Sequence, residues 1–547
     1  MVGGHALTYG ALARRVAATA AALRQGALTA GPTPRVAILL PPSPAFFEAF
    51  LGTGAAGAAA VVLQHGWSDA DLAHALAAAH PSAVITDRQR APQVVRHLPE
   101  DTVAVTVGDH VAPALTGTAG AGAPGPPPGG TTPAVADGAS AFYVGFTSGS
   151  TGRPKGFVRS HHSWRASFAA SDVFGIGAGE HVLAPGPLEH SLFLYAAVHA
   201  LSVGATVHLR ERFEAAAVLD ALARRPITRV YLVPTMLTSL LRAAERAGRP
   251  RFPRVRTVLC SGARWPAASL DRLAALFPHA EAVDFYGASE TSFISMRRLV
   301  PAGRATSDDG APGRSGNASA PRHGGNESAS GRNGNIGDDT GEGDRGDTGD
   351  DGRTGDESAA GSDVGRPFPG VEVAVRRGDG TAAMAGEPGR LWVRSDMLFA
   401  GYLDADAEWD AGGWLTVGDL ARVDTDGRLH LLGREHGMLV CGGVNVFPEE
   451  IEGVLTELPE VAEAAVTGIP HDHWGDMICA LVRWHDGRTL PRGDLRAHCR
   501  ARLDRAKQPQ RWLQIADLPR TPAGKIARDV LAQRLHDGTL AATELPA

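Results

Sequence analysis

Lysine is almost missing from this chain. Among 53 basic residues only Lys155, Lys507 and Lys525 are lysine, and the rest are arginine. Alanine, glycine, proline and arginine are all inflated, so the shortage reflects a compositional bias. The three survivors are either chance or places that need a compact point charge on a flexible stem, which arginine's planar fork does not supply.

Other shortages exclude whole classes of function. The four cysteines, Cys260, Cys441, Cys479 and Cys499, are scattered without a C-x-x-C pair. They read as reduced thiols in a cytoplasmic protein, not as a disulfide framework or a zinc site. There is no basic excess: the formal net charge is −6, which argues against a nucleic-acid binder, and no lysine–arginine run marks a membrane-surface patch. The N-terminus lacks the charged-then-apolar order of a secretory signal. The most apolar stretch, residues 36–63, is interrupted by Pro41, Pro42, Pro44 and Glu48, so it reads as a strand, a turn and a buried helix and no membrane span is expected. Aromatic residues vanish over 301–363 and aliphatic ones nearly so. Such a segment cannot bury enough apolar surface to offset its ordering entropy, and a disordered insertion is expected there. Residues 109–138, rich in glycine, proline, alanine and threonine, are expected to form a surface connection.

At 547 residues and 44% hydrophobic content, the remainder is enough for two or more domains. Up to about residue 110, helical spacing ("LTYGALARRVAATAAALR", "SPAFFEAFLGTGAAGAA") alternates with short apolar runs ("RVAILL", "AAVVLQ", "SAVIT"). That alternation predicts an α/β layer with a largely parallel sheet. After the insertion, "VGRPFPGVEVAVR", "GRLWVRS" and "GRLHLLGRE" predict short strands with turns, and from about 437 the pattern is mixed α+β. A domain junction is placed at 434–437.

The densest chemistry lies in "FTSGSTGRPKGF". Four hydroxyl residues, three glycines and Lys155 fall within residues 147–156. "SAFYVGF" before it predicts a strand and "HHSWRASFAASDVF" after it a helix. Glycines let backbone N–H groups turn toward an anion, hydroxyls add donors, and a lysine reaches a terminal phosphate. This is not a Walker A loop, which requires G-x-x-x-x-G-K-[ST]. On composition alone the alternatives are a phosphate cradle and a flexible turn.

"FTSGSTGRPKG" resembles the phosphate-loop signature of the adenylate-forming (AMP-binding) superfamily, which includes acyl-CoA synthetases, adenylation domains of peptide synthetases, and luciferases. Further motifs follow in the family's order: "DFYGASET", "GYL", "GGWLTVGDLARVDTDGRLHLLGRE", "GGVNVFPEEIE" and "LPRTPAGKIAR". The resemblance covers the chain except 109–138 and 301–363, and is nearest to acyl-CoA synthetases. It implies a large N-terminal domain of layered α/β subdomains plus a distorted β-barrel over 1–434, a hinge near 435–437 and a small mobile α+β domain over 437–547.

It also implies roles. Thr147, Ser148, Gly149, Ser150, Thr151, Gly152 and Lys155 would hold the β- and γ-phosphates of ATP. Glu290 would bind Mg²⁺; Tyr286 and Gly287 would lie beside adenine, with Gly262 and Ala263 lining it. Asp419 and Arg434 would hold the ribose, and Lys525 would reach the substrate carboxylate and the α-phosphate. His190 sits where acyl-CoA synthetases place a histidine at the acyl pocket, and Lys507 where relatives carry K-x-P. His436 is expected to be the hinge residue, where Asp or Lys is usual. Val417 replaces the threonine of T-G-D, with Thr291 as the expected substitute donor. The chain also begins almost at "LTY", shorter than in many relatives. His161 and His162 are adjacent and diverge by about 100° on a helix, so they do not share a metal ion.

The activity implied is an acid–thiol ligase: a carboxylic acid becomes acyl-AMP with release of pyrophosphate, and the acyl group passes to CoA. Loading a phosphopantetheine carrier protein in trans is a second reading. A luciferase-like oxidase and a non-catalytic adenylate-binding protein are readings of other classes. The acid itself is not named by the sequence.

Overall fold

The computed structural model describes residues 6–26, 28, 34–108, 110–117, 137–148, 154–262, 265, 269–299, 363–437, 439–441, 444–471, 475–503, 507–521 and 525–546. Among them the strands form four sheets.

The first sheet grows from the short apolar runs near the N-terminus. Strands Arg35–Leu39, Ala59–Val62, Ala83–Asp87 and Val103–Val107 lie parallel, joined by helical crossovers. Val36, Ala37 and Ile38 are wholly buried, as befits a parallel strand covered on both faces. Helix Pro44–Ala55 starts where Ser43 accepts a hydrogen bond from the Phe46 N–H, with proline in its first turn. Strand Ala141–Ser148 adds in parallel beside Ala59–Val62, and Pro154–Ser160 then runs antiparallel to it.

That last strand corrects the expected strand–loop–helix. Thr147 pairs with Lys155 and Ser148 with Pro154, so the glycine- and hydroxyl-rich loop joins two strands of a β-hairpin. Helix His161–Ala170 starts only after this second strand, capped by Ser160. Among the described residues no helix follows the loop directly.

The second sheet repeats the design. Thr206–Leu209, His181–Ala184, Arg229–Leu232, Thr257–Cys260 and Glu281–Tyr286 are parallel, and Ser295–Leu299 and Arg366–Pro367 close its edge antiparallel. A third, antiparallel sheet, from Glu372–Arg376 to Leu429–Arg434, answers to the barrel-like subdomain. One core runs between these sheets, with Phe157, Trp164, Phe193, Phe285, Phe293 and Phe368 in it. The fourth sheet, from Leu439–Cys441 to Ala542–Glu544, has a separate core that includes Val466, Ile478, Leu495 and Trp512. A segment with its own core is the physical signature of a domain.

The surface connection expected over 109–138 starts later than its composition suggests. Residues Ala112–Gly117 form a short helix, and Val111 and Leu115 are buried against the main core. Residues 118–136 lie outside the described residues, as does all of the expected insertion except Asp363. Asp363 is ordered structure: it bridges to His430, and its carboxylate pairs with Arg428 at 2.7 Å. The four cysteines are buried and form no disulfide among the described residues. No helix among the described residues is long and apolar enough to cross a membrane.

Candidate active site

The second parallel sheet ends in a tight turn, "YGASETS", between Glu281–Tyr286 and Ser295–Leu299. The Ala288 carbonyl accepts from the N–H groups of Thr291 and Ser292, and the Tyr286 carbonyl from that of Ile294. A Cβ on Gly287 would lie 1.7 Å from the Ser292 carbonyl oxygen, so glycine is required there. Ser292 sits at φ 59°, a left-handed conformation that costs on the order of 1–3 kcal/mol in a residue with a Cβ. Glu290 and Thr291 are both buried within this turn.

Thr291 differs from expectation. Its hydroxyl oxygen accepts from the Ala288 N–H at 3.0 Å and the residue is fully buried, so it shapes the turn and does not face a ligand. At the T-G-D position Val417 packs against the core, and Thr416 before it accepts from the Gly418 N–H.

Glu290 is tied to the phosphate hairpin through a residue that the motif search did not single out. The Tyr402 hydroxyl donates to a Glu290 carboxylate oxygen at 2.8 Å, while the Lys155 ammonium lies 3.4 Å from the Tyr402 ring centroid. The sheet explains the encounter. Gly401–Tyr402 pairs antiparallel with Pro154–Ser160, Tyr402 opposite Phe157, and alternate residues 155, 157 and 159 share one face. The signal was present in "GYL", which was quoted as a motif without a role for its tyrosine.

A second cluster joins three of the expected nucleotide residues. Asp419 accepts from the Tyr286 hydroxyl and, at 3.0 Å, from the Arg434 Nε. Asp419 and Arg434 are cross-strand partners in the third sheet, which fixes their approach. Burial, then the Asp419 charge, pushes the Tyr286 phenol well above its usual value, and Asp419 raises that of the Arg434 guanidinium. Asp419 is buried, whereas the Arg434 side chain is 64% exposed. Gly262 ends strand Thr257–Cys260 at φ 96°, a backbone shape that favours glycine.

The closing motif comes within electrostatic reach of the same groups. Lys525 is exposed, yet enough protein surrounds it that desolvation lowers its pKa, and it feels the charges of Arg434, Asp419 and Glu290. Its loop is pinned by the Thr521 N–H on the Lys525 carbonyl and by a bridge between Arg520 and Ile526. Arg528 in the same motif pairs with Glu452 at 2.5 Å and Glu449 at 3.3 Å, both in helix Pro448–Thr456 of "PEEIE". Lys507 holds Glu450 of that helix at 2.8 Å, so the third lysine ties the C-terminal domain together.

His190 directly precedes helix Ser191–Ser202, and the hydroxyl of Ser191 lies 3.2 Å from that of Ser289, next to Glu290. Neighbouring Glu189 stands 4.0 Å from His65, and burial raises its carboxyl pKa. Ser148 lies on the hairpin strand. Gly149, Ser150, Thr151, Gly152 and Ala263 lie outside the described residues; His436 falls in the 3₁₀ turn Glu435–Gly437. Among the described residues no group of three or more His, Cys, Asp or Glu side chains gathers for a metal.

Comparison with known proteins agrees with this layout. The chain is 35% identical over 505 residues to an uncharacterized acyl-CoA ligase, YhfT, of Bacillus subtilis, covering 92% of this chain and 88% of the relative. It is 30% identical over 544 residues to a feruloyl-CoA synthase of an Amycolatopsis species, covering 97% and 94%. ATP-bound MatB from Rhodopseudomonas palustris shares the fold at a TM-score of 0.76 and 22% identity, over 98% of this chain and 95% of that one. The AMP-binding enzyme C-terminal domain profile matches residues 450–525. The AMP-binding enzyme profile matches residues 1–320, and the chain belongs to that family.

Proposed function

We infer that this chain is an AMP-forming acyl-CoA synthetase. A carboxylate oxygen attacks the α-phosphorus of ATP, and pyrophosphate leaves. The sulfur of CoA then attacks the acyl carbon, and AMP leaves. The observation that carries this reading is that Glu290, Asp419, Arg434 and Lys525, from three separate motifs, lie within electrostatic reach, with Arg434 on Asp419 at 3.0 Å. The relatives named as CoA ligases support CoA as acceptor. A carrier protein's phosphopantetheine offers the same thiol and is separated from CoA by assay.

The chemistry opposes an anion to a polyanion, so the remedy is fixed positive charge and alignment. Lys155 and the hydroxyls of Thr147 and Ser148 are assigned to the phosphates. Asp419 and Arg434 are assigned to the ribose, Tyr286 beside adenine, Lys525 to the substrate carboxylate and α-phosphate, and His190 to the acyl pocket. Glu290 is assigned to magnesium. The donor set fits: one buried carboxylate, engaged by a single hydroxyl among the described residues, suits an ion that keeps its waters and arrives with phosphate oxygens. When bound, that ion supplies charge neutralisation on the phosphates.

The supporting architecture is two bodies. Residues 1–434 and 437–547 are assigned as N- and C-terminal domains, because the third sheet ends at Arg434 and the fourth begins at Leu439. The charge of Glu290 reaches Lys525, which supports adenylation as the step that Lys525 serves. We place the enzyme in the cytoplasm, where cysteines outside disulfides stay reduced.

ATP–pyrophosphate exchange with a panel of acids, followed by thioester formation with CoA, tests the activity. Absence of exchange with every acid would overturn it. Glu290→Gln should abolish exchange while leaving the melting temperature near the parent's; normal exchange would remove Glu290 from the site.

A further inference from the structure

The phosphate hairpin carries a second cation four residues after Lys155. Arg159 is 3% exposed, lies on the same face of its strand as Lys155, and donates to no carboxylate among the described residues. Its guanidinium is instead spent on neutral oxygens. Nε donates to the Ser163 hydroxyl at 3.1 Å. Nη1 donates to the Ser289 carbonyl at 3.2 Å and the Ser292 hydroxyl at 2.6 Å. Nη2 donates to the Ser163 carbonyl, the Ser167 hydroxyl and, at 2.8 Å, the Met397 carbonyl.

Two of those acceptors flank Glu290 in the turn, and one of them, Ser292, is the residue held at φ 59°. The Ser167 hydroxyl also donates to that of Ser292, at 2.8 Å, so the left-handed serine is held from two sides. The Met397 carbonyl lies two residues before Phe399, whose N–H donates to the Glu290 carbonyl. A buried charge is costly unless every donor is satisfied, and a planar fork is the side chain that satisfies several elements at once. Burial lowers the Arg159 pKa only to about 10, so it stays a cation at neutral pH.

We propose that Arg159 is a positioning residue for adenylation: it clamps the 286–292 turn onto the phosphate hairpin and so fixes Glu290 relative to Lys155. This rests on the assignment of Glu290 to magnesium. Arg159 touches neither substrate nor metal; it acts through the turn.

The test is calorimetric binding to the full chain without acid, comparing MgATP with metal-free AMP. AMP engages the Asp419–Arg434 side of the cleft and reports a general structural loss. Arg159→Met should weaken MgATP binding by about tenfold or more while AMP binding stays within about twofold. Arg159→Lys, which keeps the charge without the fork, should restore only part of the affinity. Ser292→Gly keeps the left-handed turn without its strain and removes the shortest clamp bond. It should shift MgATP binding in the same direction, and it keeps the test open if Arg159→Met does not fold. Equal loss of MgATP and AMP, no loss of either, or full rescue by lysine would overturn the clamp. A parent protein that binds ATP equally well with magnesium and with a chelator would instead overturn the Glu290 assignment on which the clamp depends.

Discussion

Lys155 and Tyr402 meet face-on, the ammonium 3.4 Å from the ring centroid, where two paired strands bring the phosphate hairpin against the "GYL" strand. A cation over an aromatic face is held by the ring quadrupole without losing its charge. The same ring carries the hydroxyl that donates to Glu290, so one side chain sets the spacing of the Lys155 ammonium and the Glu290 carboxylate.

Tyr402→Phe separates the two contacts. The ring remains for Lys155, and the hydrogen bond to Glu290 is lost. A bond to a charged acceptor contributes about 1.5–3 kcal/mol, so pyrophosphate exchange should fall by roughly 10- to 100-fold. Tyr402→Leu loses both contacts and should fall further. Parental exchange in the phenylalanine variant would show that the hydroxyl does not position Glu290.

Lys525→Ala should slow adenylate formation by roughly 10²–10³-fold, the scale for removing one donor aimed at transition-state charge. Thioester formation from supplied acyl-adenylate should be much less affected. Rapid-quench measurement of each half-reaction decides it. Equal losses would mean that Lys525 stays at the site throughout and that the C-terminal domain does not swing.

Arg528 is a stability prediction. Its partner Glu452 is 13% exposed, and removing one member of a largely buried pair costs about 3–5 kcal/mol. Arg528→Met should speed hydrogen exchange in helix Pro448–Thr456 and strand Val461–His471, while the first two sheets exchange as in the parent. Arg528→Met with Glu452→Leu should recover much of the loss. Exchange that accelerates everywhere would mean that the C-terminal domain has no separate stability.

A contact between the two bodies is pH-sensitive. Arg242, in helix Pro234–Arg246, donates to the His485 Nδ1 at 2.8 Å, just past strand Gly475–Trp484. Burial, then Arg242, Arg483, Arg272 and Arg488, lower the His485 pKa below 6.5. Asp486 and Glu463 act on Arg242 from the other side. The neutral ring is the form that accepts, so the contact is fully present above 6.5 and is lost as the pH falls through the depressed value. The ratio of adenylation to thiolation rates should therefore hold above pH 6.5 and drop as the pH falls below it. His485→Asn, which accepts without titrating, should flatten that drop; an unchanged profile would remove His485 from the domain contact.

The amino-acid order was enough for most element types and for the family. Buried parallel strands announced themselves as short apolar runs because both of their faces are covered, as Val36–Ile38 shows. The resemblance to the family's motifs is what selected Glu290, Asp419, Arg434 and Lys525. Where the order misled, a neighbour in space prevailed over a neighbour in sequence. Residues 154–160 became a strand because Ala141–Ser148 lay open to pair with them, and no local preference for a helix start at His161 reveals that partner.

Tertiary structure alone decided which groups touch. Thr291 carries the hydroxyl expected to replace that of a threonine at Val417, but the turn buries it against the Ala288 N–H. Tyr402 gained its role from a strand pairing across more than two hundred residues, and Arg159 from three elements that converge on one guanidinium. Local pattern reports what a side chain is able to do. Which atoms it meets depends on long-range packing, because a hydrogen bond or a cation–π contact decays within a few ångströms and only the folded chain sets distances on that scale.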